Sequence, residues 1–192
     1  AGAVHQETEQ CSGGGSMTVT INDVNGNQDV DAGDYMSIVA NQCVESGMVI
    51  NGGLKVTFGN IKGEVGVFPY ELASTLEYNN LSVKKGQEHV VGNGSIVTTL
   101  KATANNQSNQ TLEAPSFNAT YNFAGKSTRQ GLSNYKATVD VNAGATTTSA
   151  NGTLTSSAFD SKSIRIETIS PFVRKSNQAN PYSGQAIVSG AA

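Results

Sequence analysis

Apolar and polar residues alternate along much of the chain with a period of two. From Phe68 to Tyr78, residues Phe68, Tyr70, Leu72, Leu76 and Tyr78 fall on one side and Glu71, Thr75 and Glu77 on the other. Phe117, Tyr121 and Phe123 alternate with Asn118, Thr120 and Asn122, and Ala137, Val139 and Val141 with Thr138 and Asp140. Ile164 and Ile166 alternate with Arg165 and Glu167. Successive side chains of a strand point to opposite faces, so the pattern predicts strands with one apolar and one wet face, the habit of antiparallel sheet. Pro69 predicts an edge position or a late start for its strand, because proline cannot donate to the ladder. No long window carries an i, i+3, i+4, i+7 stripe, and little helix is expected.

The same reading marks the ends. Residues 1–10 show no period and Ser12-Gly13-Gly14-Gly15-Ser16 is a hinge, which predicts a flexible N-terminal arm over 1–16 and a single β domain over 17–192. The alternative for residues 1–10 is a strand donated to a neighbouring subunit. The first strand is expected at Met17 to Ile21 and the last, a short one, at Gln185 to Ser189; a further domain beyond Ala192 stays open. Asn51-Gly52-Gly53-Leu54, Asn93-Gly94-Ser95-Ile96 and Asn151-Gly152-Thr153-Leu154 share one form, and Asn80-Leu81 and Asn134-Tyr135 precede two of them. Asn-Gly favours tight hairpin turns, so these sites are expected as turns at strand starts, by convergent turn chemistry or by duplication of a meander. The expected fold is all-β: an antiparallel meander of about nine to twelve strands, curled as a sandwich or an open barrel.

Composition narrows the setting. Charged residues are 14% and hydrophobic ones 37%, with Gly, Ser, Thr and Asn filling the gap, a balance suited to the outside of a cell. A net charge of -3 and only 4 prolines argue against disorder. Lys84-Lys85 and Arg174-Lys175 are the adjacent basic pairs, too few to expect nucleic acid as a partner. No apolar run approaches the roughly 20 residues of a membrane span. Cys11 and Cys43 are the 2 cysteines; in an exported chain they favour a disulfide over free thiols, and the polar residues before Cys11 argue against a lipid anchor there.

One stretch is dense in oxygen ligands: Asp23-Val24-Asn25-Gly26-Asn27-Gln28-Asp29-Val30-Asp31-Ala32-Gly33-Asp34. Calcium takes six to eight oxygens, and a short loop can supply them from positions 1, 3, 5, 7, 9 and 12. Those positions are Asp23, Asn25, Asn27, Asp29 through its backbone carbonyl, Asp31 and Asp34, so the spacing itself predicts calcium. The stretch resembles the calcium loop of dockerin modules. That resemblance adds to the prediction. It covers residues 23–34 alone, and it departs at Gln28, where the family has glycine, and at Asn27, where it has aspartate. The flanks read as strands rather than helices, so an ion loop between two strands is expected and cohesin binding is not implied. The alternative is a solvated Asp/Asn-rich turn.

Catalytic chemistry is not expected. His5 lies in the arm and His89 beside an expected hairpin loop, Lys85 to Glu88. No nucleophile elbow, His-Glu-x-x-His, phosphate loop or Cys-x-x-Cys occurs. Glu71 and Glu77 share a wet face about 20 Å apart, too far for glycoside hydrolysis. Asn80, Asn93, Asn106, Asn109, Asn118 and Asn151 head Asn-x-Ser/Thr triplets, which matter in a eukaryotic source.

In overall style the chain resembles secreted β-sheet proteins of bacterial envelopes. The expectation is a secreted or cell-surface protein, with the periplasm as a further setting. Its role would be structural or adhesive: a self-assembling filament or matrix subunit stabilised by calcium, partnered by itself through strand edges or by another surface protein. The alternative is a carrier for an apolar ligand, with Phe68, Tyr70, Leu72, Phe117, Tyr121 and Phe123 lining its face; otherwise those residues are simply core.

Overall fold

Eleven strands follow one another in a computed structural model that describes residues 2–191. They are β1 (Ala3–Gln10), β2 (Ser16–Asp23), β3 (Tyr35–Glu45), β4 (Met48–Lys62), β5 (Tyr70–Lys85) and β6 (Glu88–Ala104), then β7 (Gln107–Phe123), β8 (Lys126–Asn142), β9 (Ala145–Ser156), β10 (Ser163–Lys175) and β11 (Ser183–Ala191). All pair antiparallel in chain order within one sheet, and the sheet does not close. The meander and its strand number match the alternation, as does the near absence of helix, which is confined to a 3-10 turn at Ser157–Phe159. Extensive contacts join each strand only to its neighbours in sequence.

Local chemistry makes the hairpins. Ser46-Gly47, Ala124-Gly125 and Ala143-Gly144 each place two successive residues at positive φ. That is the two-residue turn whose twist matches the strands it joins. Pro69 delays its strand, which starts at Tyr70 in the middle of the sheet rather than at an edge.

The Asn-Gly sites are not turns. Gly52, Asn80, Gly94, Asn134 and Gly152 all have positive φ but lie inside long strands, beside the register shifts of the β3–β4, β4–β5, β5–β6, β6–β7 and β8–β9 pairs. They are β-bulges, each of which bends its strand. Neighbouring registers (Ala40 with Gly52, Gly53 with Asn79, Tyr78 with Gly94) set the bulges side by side as a row across the sheet. A bulge leaves an amide outside the ladder, and that amide needs an acceptor. Asn51 Oδ1 accepts from Gln42 N at 2.7 Å, and Asn151 Oδ1 accepts from Thr168 N at 2.9 Å. The asparagine thus supports the bulge next door, which short-range turn statistics do not reveal.

The expected flexible arm also needs correction. Its described residues form β1, in full register on β2 from Ala3–Asp23 to Gln10–Ser16, followed by a turn held by Cys11 N to Gly15 O at 3.0 Å. Alternation in β1 is weak because the strand is exposed on both faces, so no core side selects apolar residues. The expected first strand is therefore the second, β2.

Cross-strand partners share a face. The register Val19, Ile38, Leu54, Tyr78, Gly94, Phe117, Leu132, Leu154, Ile164 runs from β2 to β10 and is apolar throughout. The opposite face carries Lys62, Glu71, Lys101, Asn109 and Asp140 in one register. Tyr70, Leu72, Phe117, Tyr121 and Phe123 lie together on the apolar face, with the Phe68 ring stacked 5.7 Å from Tyr70. They are not enclosed in a core. The buried apolar residues are Ala40, Cys43, Ala102 and Ala114, small residues set among larger neighbours on that face.

Candidate functional site

The acidic turn joins β2 to β3. Asp23, at the end of β2, accepts from Gly26 N at 2.6 Å and Gln28 N at 2.8 Å. These amides, Gln28 first, hold its carboxyl below the usual carboxylate range. Asn25 Oδ1 accepts from Asn27 N, and Asn27 Oδ1 from Asp29 N. The amides of Asn25 and Asn27 both donate to Asp31 Oδ2, at 2.6 and 2.7 Å. Asp34 is buried, and its two oxygens accept from Val24 N at 2.8 Å and Asp31 N at 2.7 Å. Gly33 N donates to Phe58 O and Phe58 N to Asp34 O, so the turn continues the ladder onto β4.

The six predicted ligands thus share one turn, and five of them have side-chain oxygens that accept hydrogen bonds from the turn itself. Asp29 stands exposed. Among the described residues, no three His, Cys, Asp or Glu side chains form a metal-holding group. Gln28, where the dockerin loop has glycine, adopts positive φ all the same.

Cys11 and Cys43 form a disulfide, as their even count favoured, with Cα atoms 5.3 Å apart. It ties the β1–β2 turn to β3. Beside it Glu45 accepts from Ser12 N at 2.6 Å and Ser12 Oγ at 2.8 Å, which holds its carboxyl down, the backbone amide acting most strongly. Both histidines lie in strands. His5 is exposed on β1; His89, expected beside a loop, opens β6 with Nε2 3.0 Å from Ser82 Oγ. Among the described residues no carboxylate hydrogen-bonds to His89, so the pair lacks the group that would orient a base.

The polar face is a lattice of ion pairs. Glu71 takes Lys101 at 2.8 Å and Lys62 at 3.0 Å, and the two ammonium groups, Lys101 first, pull its carboxyl down to about 2. Lys136 pairs with Glu113 at 2.7 Å, and Lys55 lies 4.4 Å over the Tyr35 ring.

The apolar face is open and carries two depressions. Tyr78 and Phe117, on strands either side of β6, meet edge to face at 5.2 Å across Gly92, which has no side chain to separate them. Next to them an open depression of about 460 Å³ is walled by Leu72, Leu100, Leu112, Ala137 and Val139. A second, of about 600 Å³, lies under the acidic turn between Ile21, Val30, Met36 and Phe58. The alternation foretold these faces. That nothing in the described chain covers the apolar one was not legible, because alternation looks the same whether a second layer is present or not.

Compared with protein-family models, curated proteins and solved structures, the chain matches none. Among the described residues no helix is long and apolar enough to cross a membrane.

Proposed function

We propose that this protein is an extracellular structural or adhesive subunit, secreted or held at a cell surface, that assembles with copies of itself or with another surface protein and is not an enzyme. The observation that carries this is the open single-layer sheet: β1 and β11 each have one neighbour among the described residues, so both present a row of free backbone groups. Such edges are templates for strand addition. β11 has no charged side chain between Ser183 and Gly190, and Ile187 and Val188 stand exposed. The disulfide suits an oxidising compartment.

Calcium belongs to the proposal as reinforcement of the Asp23–Asp34 turn. An ionised carboxylate offers about four acceptor sites, so the amide hydrogen bonds leave room for a cation. Calorimetric titration with calcium checks this; the absence of a binding heat refutes it.

Light scattering over a range of concentrations tests assembly. Edge pairing predicts open-ended growth that stops when excess peptide of sequence 183–191 is added; a monomer at every concentration overturns the proposal.

A second reading, a carrier of an apolar ligand, is favoured by the depression at Leu72, Leu100 and Leu112, whose volume lies within the usual range of ligand sites. Saturable binding of a fluorescent fatty acid with 1:1 stoichiometry supports it, and its absence removes it.

A further inference from the structure

The accessible surface of the chain is 11665 Å². A compact monomer of its 19.9 kDa exposes about 8,700 Å², so the open sheet carries about 3,000 Å² more than a closed fold would. A single layer is open on both faces, and on the apolar one the half-buried side chains would form the interior if a second layer were present. Exposed apolar patches on monomers usually reach only a few hundred Å².

Charge on this face is confined to its margin. In register with it stand Glu7 and Glu9 on the outer strand β1, and Glu45, Lys85, Glu88, Lys126 and Arg174 at strand ends. Between them lie uncharged rows on β2 to β10, mostly apolar and interrupted by Ser74, Thr98, Gln110 and Thr148. An apolar centre inside a charged rim is the anatomy of a protein interface. The depression near Leu100 would house one small ligand and leave most of the face bare, so the occupant must be broad and flat.

We infer that the occupant is a second copy of this chain, packed apolar face to apolar face as the other layer of a two-sheet sandwich. Sheets stack about 10 Å apart with strands about 30° from parallel, and such a contact is isologous: the same patch serves both copies and the assembly closes at two. A footprint nine strands wide, or eight spacings of about 4.8 Å, and about 12 residues long covers roughly 1,500 Å² per copy. Two such footprints fall within the 2,000–5,000 Å² of obligate dimers. The inference deepens the self-assembly reading by naming a surface distinct from the strand edges.

Analytical ultracentrifugation of the 192-residue chain tests it, read with four perturbations: two sets of substitutions, a detergent and the 183–191 peptide. Val90 and Tyr121 are a cross-strand pair, each 42% exposed on the apolar face just inside Glu88, so V90K/Y121K leaves the packing within the layer in place, costs about 0.2–1 kcal/mol by like-charge repulsion and sets two charges against the partner. With the strand edges blocked by excess 183–191 peptide, the expected result is a species of twice 19.9 kDa for the wild type and a monomer with unchanged circular dichroism for V90K/Y121K. V39K, on the polar face, stays dimeric. Mild non-ionic detergent, which competes for an apolar face but not for edge hydrogen bonds, splits the wild-type dimer without any substitution.

A wild-type monomer overturns the inference; if that monomer takes up a fatty acid 1:1, the face serves a small ligand instead. Assemblies that the 183–191 peptide disperses but V90K/Y121K and detergent leave intact also overturn it, while sustaining the edge route. A closed dimer indifferent to the peptide sustains the inference and sinks the edge route.

Discussion

Gly94 shows how much a single position decides in this sheet. Its φ of +115° lies where side chains are disfavoured, and a Cβ there would sit 2.2 Å from Ser116 O on the neighbouring strand. Backbone cannot move aside as a flexible side chain can. Gly94→Ala is therefore expected to cost about 3 kcal/mol or more, combining conformational strain with the clash. Urea unfolding measures it, and Gly190→Ala, where a Cβ meets nothing within 4 Å, is the matched control, expected to change stability by less than about 0.5 kcal/mol. Gly52 is caught in the same way against Asn80 O at 2.2 Å. The repeated Asn-Gly pairs were visible in the sequence, but their use was not. The dipeptide reports a backbone with positive φ, and both a hairpin turn and a mid-strand bulge satisfy that report. Only the register of the adjacent strand, a long-range property, separates the two.

At the scale of elements, the two faces are held by different forces. The apolar rows contribute through contact between neighbours in the same layer, while the polar face adds ion pairs arranged across β4, β5 and β6 at Lys62, Glu71 and Lys101. Glu71 has its carboxyl depressed from 4.5 to about 2, chiefly by Lys101 and then Lys62. A depressed carboxyl stabilises the fold above its unfolded value and loses that contribution as pH falls through the folded one. Stability should therefore hold above about pH 4.5 and decline toward pH 2, and E71Q should flatten the decline. Chemical denaturation at a series of pH values from 7 to 2 checks the slope; an E71Q curve parallel to wild type over that window refutes the assignment. Asp23 and Glu45, lowered by backbone amides of Gln28 and Ser12, leave a residual slope in the variant. Of the strands that carry this ladder, β5 was legible from the alternation of Phe68 to Tyr78, while β4 and β6 were marked only by Asn-Gly sites that read as turns. β1 was not legible, since neither of its faces is selected for burial.

For the whole molecule, a sheet in which extensive contacts join each described strand to its sequence neighbours alone behaves as a nearly one-dimensional array, in which local stability follows nearest-neighbour contacts. Among the described residues no second layer ties β1 to β6 or β4 to β10, so opening at one end need not spread. Amide exchange on the monomeric V90K/Y121K chain should accordingly show a gradient, with strongest protection in β5 to β8 and weakest in β1 and β11. The Cys11–Cys43 bond bears on one end alone. It closes a loop with a sequence separation of 32, worth about 4 kcal/mol in the chain-entropy model. Reduction is thus expected to raise exchange in β1, β2 and the β3 segment around Cys43 while leaving β6 to β8 unchanged. A uniform rise in every protected amide would instead mean that the sheet unfolds as one cooperative unit, and the array description would be wrong. The same experiment on the wild type should show a flatter gradient if two copies pack face to face, because strands of the partner then bridge positions far apart in sequence. Reduction would in that case be felt across the sheet, and comparison of the two chains separates the stability of one layer from what the second layer adds.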